Sequence, residues 1–458
     1  MDCRRLLLCM IPFLGSSACA NPDGATEDTS SGTDDSVGDV STAGNETGTI
    51  DETTEGTTSD DDATTNGSDT TNDDTTDGST TDTTSDSDTT SEDTTETTGS
   101  EPCPSPTIGG CYGPALILDI AGINPMGISI GDLDGDSDGD VATANRLTDN
   151  STVLFGDGMG GFVSPGSFPT LDSAQVAHSA DFDDNGVDDV IVGNSGFFVV
   201  LLGTGIGPQW FTATPQVNTG NGISNFALGD VDGDANVDVV TASYNLQVNN
   251  IHIHRGNGQG GFSTATVSTN IAGSRSPELA DFTGDGNLDV VVIALGLRVF
   301  PGDGSGMVGP GSIMSPSIAS FVVVAGEFTG DGQMDVLTSH NTNPSELSIG
   351  QGNGLFGAPQ PIGISAGNAM ASADFDNDGD DDAVVAIPGS CFGCTDAGVV
   401  FYRNDAGTLV EEASVDTGEL QASSIAVGDL NGDDIPDLAF GHDDALQPDI
   451  VTVLLSAP

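Results

Sequence analysis

The chain runs to 458 residues and carries 71 acidic against 7 basic side chains, a formal net charge of -64, with every basic residue an arginine. An excess of that size excludes nucleic acid as a partner, because binding phosphates requires a basic footprint.

The first 20 residues, MDCRRLLLCMIPFLGSSACA, place Arg4 and Arg5 before an apolar run from Leu6 to Leu14 and a cluster of small residues. This is the pattern of a secretory signal peptide, and the run is too short for a membrane span. Two cleavage readings stand. Ala18, Cys19 and Ala20 fit an A-x-A site, whereas SSAC resembles a bacterial lipobox in which Ser16 replaces the expected aliphatic residue. The second is preferred, because a tether follows; a lipid on Cys19 would then be the sole membrane attachment. Residues 21–100 are almost wholly Thr, Ser, Asp, Glu and Gly, without a basic residue. Such a segment buries too little apolar surface to fold. It is expected to be a disordered acidic Thr/Ser-rich stalk spanning about 50 Å as a coil, extended further by self-repulsion, and its hydroxyls suit O-linked sugars.

Beyond Cys3, Cys9 and Cys19 the cysteines form two local pairs, Cys103 with Cys111 and Cys391 with Cys394, as expected in an oxidising compartment. Cys391 and Cys394 form a CxxC, but redox use of that motif needs a thioredoxin-like helix that the surrounding sequence lacks. Local disulfides are the expected arrangement, with zinc held by all four as the alternative.

Residues 101–458 are predicted to form one repeat-built domain. ALILDIAGI (115–123) reads as a strand without a repeat of its own. GDLDGDSDGDV (131–141) then sets Asp132, Asp134, Asp136 and Asp140 at i, i+2, i+4 and i+8. Carboxylates so close repel one another unless a cation sits among them. A hard cation taking six or seven oxygens matches the layout, and calcium suits an all-protein carboxylate cage better than magnesium. The frame recurs as DFDDNGVDD from Asp181, DVDGDANVD from Asp230, DFTGDGNLD from Asp281, EFTGDGQMD from Glu327, DFDNDGDDD from Asp374 and DLNGDDIPD from Asp429, at intervals of 46 to 55 residues. An EF-hand is excluded, since Thr143 and Val192 stand where its twelfth-position glutamate belongs. Each loop is followed by a β-branched run such as VATAN (141–145) or VVTAS (239–243), then by a second run that turns through glycines, as in TVLFGDGMGGF (152–162). Four antiparallel strands in about 45 to 50 residues make a propeller blade. The expected fold is all-β, a seven-bladed β-propeller. Its last repeat ends at DIVTVLLSAP (449–458), one strand short, and the amino-terminal strand supplies the missing one.

Loops of the DxDGDxxxD type, followed by VxVLxGxGxGGF-like turns, resemble the FG-GAP or VCBS repeats of integrin-α-like propellers over about residues 112–458. The resemblance implies a calcium loop between the first and second strands of each blade and up to seven Ca2+ ions. By it the ligands are Asp132, Asp134, Asp136 and Asp140; Asp181, Asp183, Asn185 and Asp189; Asp230, Asp232, Asp234 and Asp238; Asp281, Thr283, Asp285 and Asp289; Glu327, Thr329, Asp331 and Asp335; Asp374, Asp376, Asp378 and Asp382; and Asp429, Asn431, Asp433 and Asp437. Thr283, Thr329 and Asn431 replace acids and Glu327 lengthens one, so the fourth, fifth and seventh sites should be the poorer ones and the fifth the weakest. About 30 carboxylates lie in the seven loops, and seven ions would offset about 14 of those charges.

No catalytic constellation stands out: there is no GxSxG, HExxH or Walker loop in proper context. Among His178, His252, His254, His340 and His442, only His252 and His254 share a strand face, and packing roles are expected for them. The connections on the face opposite the metal loops are freer to vary and to bind. They include Asn145, Arg146, Tyr244, Asn245, Arg275, His340, Asn341, the CFGC loop and His442. The expected function is that of a monomeric, exported adhesion or lectin-like module for an extracellular protein or glycan ligand. The alternatives are a propeller enzyme acting on polysaccharide or phosphoester substrates, and a structural surface protein with no specific ligand.

Overall fold

The computed structural model describes residues 112–456, apart from 221, 244–250, 268–270, 272, 295, 316–319, 341–343, 366, 368, 388–397, 406, 417–421 and 443–448. The expected signal segment, the stalk and all seven cysteines lie outside the described residues.

Among the described residues every element is a strand. Blade 1 comprises β2 (Pro125–Gly131), β3 (Asp140–Asn145), β4 (Asn150–Gly156) and β5 (Phe162–Pro169), preceded in the chain by β1 (Leu116–Asp119). Blade 2 holds β6 (Val176–Ala180), β7 (Asp189–Gly193), β8 (Phe197–Gly203), β9 (Phe211–Ala213) and β10 (Val217–Asn218). Blade 3 holds β11 (Ile223–Gly229), β12 (Asp238–Ser243), β13 (Ile251–Gly256) and β14 (Phe262–Val267). Blade 4 follows with β15 (Arg275–Ala280), β16 (Asp289–Ile293), β17 (Leu297–Phe300) and β18 (Ser312–Ser315). Blade 5 consists of β19 (Ser320–Gly326), β20 (Asp335–His340), β21 (Pro344–Ser348) and β22 (Gln360–Ser365). Blade 6 has β23 (Ala369–Ala373), β24 (Asp382–Ile387), β25 (Gly398–Asn404) and β26 (Leu409–Asp416). Blade 7 has β27 (Ala422–Gly428), β28 (Asp437–His442) and β29 (Ile450–Leu454).

The missing strand of blade 7 is β1, paired antiparallel with β29 from Leu116 opposite Val453 to Asp119 opposite Ile450. The ring is therefore closed by the two ends of the described chain, as the sequence led us to expect. One blade departs from the expected four strands: in blade 2 the outer strand is broken into β9 and β10, both paired with β8. Pro215 sits in the break, where it has no N–H to give to the ladder.

A four-stranded sheet has two apolar faces, and neither can be buried within one blade. The core accordingly falls into seven clusters of buried side chains, one in each gap between adjacent blades. Ile191, Phe198 and Phe226 fill the gap between blades 2 and 3, for example, and Phe375, Phe401 and Phe440 that between blades 6 and 7. The first strand of each blade lies innermost, next to its counterpart in the following blade. Serine hydroxyls pin these strands together. Ser372 Oγ donates to the Ala325 carbonyl at 3.1 Å, Ser423 Oγ to that of Met126 at 3.1 Å, and Ser179 Oγ to that of Ile130. All seven acidic loops connect a first strand to a second strand, so they share one face of the ring.

Candidate metal centres

The loops repeat one set of hydrogen bonds. The first acid is the template. Asp230 Oδ1 accepts the N–H groups of Gly233 at 2.7 Å and Asp234 at 3.1 Å, and its Oδ2 accepts that of Ala235 at 2.9 Å. Asp132, Asp181, Asp281, Asp374 and Asp429 hold their loops in the same way. Winding so tightly puts the residue at i+3 in the left-handed region, where Gly135, Gly233, Gly284, Gly330 and Gly432 suit the backbone and Asp184 and Asn377 are the substitutes. The acid or amide at i+4 then accepts the N–H at i+6, as Asp285 does from Asn287 at 2.9 Å and Asn185 from Val187 at 2.8 Å.

The aspartate at i+8 has a role that the spacing did not disclose. Asp140, Asp189, Asp238, Asp289, Asp335, Asp382 and Asp437 are fully buried. In each, both oxygens accept backbone N–H groups, one from the start of the loop and one from the end of the third strand. For Asp140 the donors are Leu133 at 2.7 Å and Gly156 at 2.7 Å; for Asp382 they are Phe375 at 3.0 Å and Asn404 at 2.7 Å. This residue braces the loop to its blade. Burial, offset only in part by the donated hydrogen bonds, raises the Asp140 and Asp189 carboxyls to about 7 and that of Asp382 to about 8.

A second feature also escaped the sequence reading, although its signal was visible: every copy has an apolar residue at i+1. Leu133, Phe182, Val231, Phe282, Phe328, Phe375 and Leu430 are buried anchors. The carbonyls of four of them accept hydrogen bonds from the following blade. Gly260 N–H donates to Phe182, Gly306 to Val231 and Gly354 to Phe282, at 2.9, 3.0 and 2.8 Å. The Asn404 amide donates to Phe328 at 3.0 Å. Each of these loops thus joins two blades.

The acid at i+2 is the odd member. Oδ1 of Asp183, Asp232 and Asp376 is buried without a hydrogen-bond partner. Burial and then the neighbouring carboxylates raise all three, Asp376 to about 6. Four clusters have carboxylate oxygens within 4.8 Å of one another, and the orphaned oxygens stand in the last three: Asp132, Asp134 and Asp136; Asp181, Asp183 and Asp189; Asp230, Asp232 and Asp234; and Asp374, Asp376 and Asp382. Hard, anionic, converging and unsatisfied oxygens are the donor set that a divalent cation requires. The structure therefore brings together the predicted residues of loops 1, 2, 3 and 6 in part, with the brace aspartate included only in loops 2 and 6.

Among the described residues, loops 4, 5 and 7 form no such triad of acids. In loop 5, Glu327 bonds the loop amides through Oε1. In loop 7 the chain fills the space itself: Asn431 Nδ2 donates to the Ser456 carbonyl at 3.0 Å, and Ser456 Oγ donates to Asp433 at 2.8 Å.

On the opposite face two expected contact residues prove to be structural. Asn145 is fully buried, its amide donating to Asn150 Oδ1 and Thr152 Oγ1 at 2.9 Å each. His442 is buried with Nε2 at 2.9 Å from Thr452 Oγ1. Both end a second strand with their side chains turned into the blade, and a loop assignment based on sequence position misses that. Arg146 is half-buried, with Nη1 at 3.5 Å from the Met126 sulfur, and Arg275 opens the innermost strand β15. Tyr244, Asn245, Asn341 and the CFGC loop lie outside the described residues, and the side chain of His340 is not described. His252 and His254 stack at 6.0 Å in the interior, His254 with its ring edge-on to Phe198 at 5.2 Å.

Fold and loops together define a repeat-built β-propeller with one acidic loop per blade. Residues 230–292, 327–385 and 374–440 match the model of the FG-GAP-like repeat. The chain carries FG-GAP-like repeats, and each matched segment opens on the first acid of a loop. No curated protein matches the sequence. Solved structures with the same fold include the lectin BP39L from Burkholderia pseudomallei, 15% identical over 73% of this chain and 98% of its own, with a TM-score of 0.57. Saccharomyces cerevisiae Sqt1 is 10% identical over 75% and 98%, with a TM-score of 0.52. BBS1N, crystallised in complex with ARL6DN, is 12% identical over 76% and 97%, with a TM-score of 0.51.

Proposed function

We propose that the protein is an exported, calcium-stabilised propeller that presents the face opposite its acidic loops to an extracellular glycan or protein and binds it without turnover. The observation that carries the metal reading is the set of converging carboxylates with buried, unpartnered oxygens at Asp183, Asp232 and Asp376. Calcium would supply the positive charge those oxygens lack, and the loops would then clamp neighbouring blades. Affinities near 10⁻⁴ to 10⁻³ M are expected, as for extracellular modules bathed in calcium. The binding reading is supported by the shared fold of the BP39L lectin and by a closed ring whose other connections lie away from the metal loops. Export rests on the signal-like residues 1–20, and the acidic segment after them would hold the ring away from the surface.

Two measurements test this. Metal analysis of the purified protein in millimolar calcium should return at least four ions per chain, and a chain without bound calcium would refute the metal reading. A glycan and surface-protein array, run with and without chelator, should show calcium-dependent binding without consumption of the ligand. Silence on the array, or turnover, would refute the binding reading.

A further inference from the structure

Loops 1 and 3 present equivalent clusters, Asp132, Asp134 and Asp136 in one and Asp230, Asp232 and Asp234 in the other. A residue of the third strand separates them. Just before the glycine whose N–H caps the brace aspartate, blade 1 has Phe155 and blade 3 has Arg255. Arg255 Nε lies 3.5 Å from Asp232 Oδ2. Its Nη2 donates to the Gly306 carbonyl of blade 4 at 3.4 Å. Gly306 makes room for it, since a Cβ there would fall 2.4 Å from Arg255 Nε. The guanidinium is thus held against the loop rather than swinging in solvent. Blade 6 has an arginine at the same position, Arg403, but Glu412 on β26 accepts from its Nε at 2.7 Å.

We infer that Arg255 is a resident counter-cation that sets the metal affinity of the third loop. It rests on the metal reading proposed above and goes beyond it. Without a metal ion, Arg255 offsets the charge of Asp232 and keeps the loop closed. When calcium arrives, the fixed positive charge beside Asp232 would oppose it, and between a unit and a divalent charge a few ångströms apart in a largely aqueous dielectric such repulsion costs about tenfold in affinity. In loop 6 the effect is weaker, because Glu412 engages the arginine, although Arg403 still acts on Asp376.

Peptide-resolved hydrogen exchange across a calcium titration of the full chain follows residues 132–140, 230–238 and 374–382 separately. In the wild type the calcium concentration giving half-protection should be about tenfold higher for loop 3 than for loop 1, and loop 3 should be the better protected of the two in chelator. Arg255→Gln, which keeps length and polarity, and Arg255→Phe, which copies blade 1, should each lower the loop 3 midpoint about tenfold and leave loops 1 and 6 unmoved. Wild-type melting in saturating calcium verifies that the variants fold. Glu412→Ala should shift loop 6 the other way, raising its midpoint several-fold. A loop 3 midpoint unchanged in Arg255→Gln, or a loop 6 indifferent to Glu412→Ala, overturns the inference while the metal reading stands. If no loop responds to calcium, the metal reading falls and the inference falls with it.

Discussion

Two aspartates six positions apart in one loop do different jobs. Asp189 gives both oxygens to backbone N–H groups, at 2.8 Å from Phe182 and 2.6 Å from Gly203, whereas Asp183 has an oxygen with nothing to bond. Asp189→Ala should therefore cost about 2 to 4 kcal/mol in urea unfolding even in chelator, because it strands two buried donors. Asp183→Ala should cost almost nothing in chelator and more than 1 kcal/mol in calcium, where it removes a ligand. Equal losses for the two variants in chelator would show that the two residues share one role. The acids themselves were legible in the sequence. Their division of labour was not, since spacing cannot distinguish an oxygen that faces an ion from one that faces two amides. His254 offers a test by pH. Burial, and secondarily His252, keeps it neutral down to about 4, while an unfolded imidazole takes up its proton near 6.5. Between those values the unfolded state binds more protons. The contribution of His254 to stability is thus complete above pH 6.5 and drains away as pH falls towards 4, by up to about 1.4 kcal/mol per pH unit. His254→Phe should shrink the loss in urea midpoint between pH 6.5 and 4.5, and an unchanged loss would mean that the ring is already charged.

At the scale of the element, the strand β1 carries the closure of the ring. Leu118 lies opposite Val451 in the middle of its ladder, and proline there removes a donor and bends an edge strand of four residues. Leu118→Pro should lower the melting temperature by several degrees and, by exposing the edge of β29, produce concentration-dependent association on a sizing column. A monomer with wild-type melting would mean that the seam bears little load. The closure could be read in advance because the last repeat was one strand short and an unclaimed apolar run preceded the first. The broken outer strand of blade 2 could not, since a proline between two short runs fits an edge strand and a loop equally well. Asn145 and His442 were misplaced for a related reason. Each ends a second strand, and the alternation that turns it inward is too short there to be read from sequence.

For the whole molecule, charge is the governing quantity. A chain at -64 with four converging acid triads should hold its ring far better with divalent ions than without. Chelator should lower the melting temperature, with each site held tenfold above its dissociation constant contributing about 1.4 kcal/mol that is then lost. Raising monovalent salt in chelator should recover part of the loss by screening. Calorimetry reads both, and a curve indifferent to chelator would leave the acidic loops without a role in stability. The seam lies apart from this chemistry. Loop 7 is closed by Ser456, from the same carboxyl-terminal segment that receives β1, so the junction of the two ends of the described chain is fastened by the polypeptide itself. Under the proposed function, tension entering at Tyr112 would meet a joint held by hydrogen bonds within the protein, and a wheel starved of the ion would slacken around its circumference before it let go at that joint.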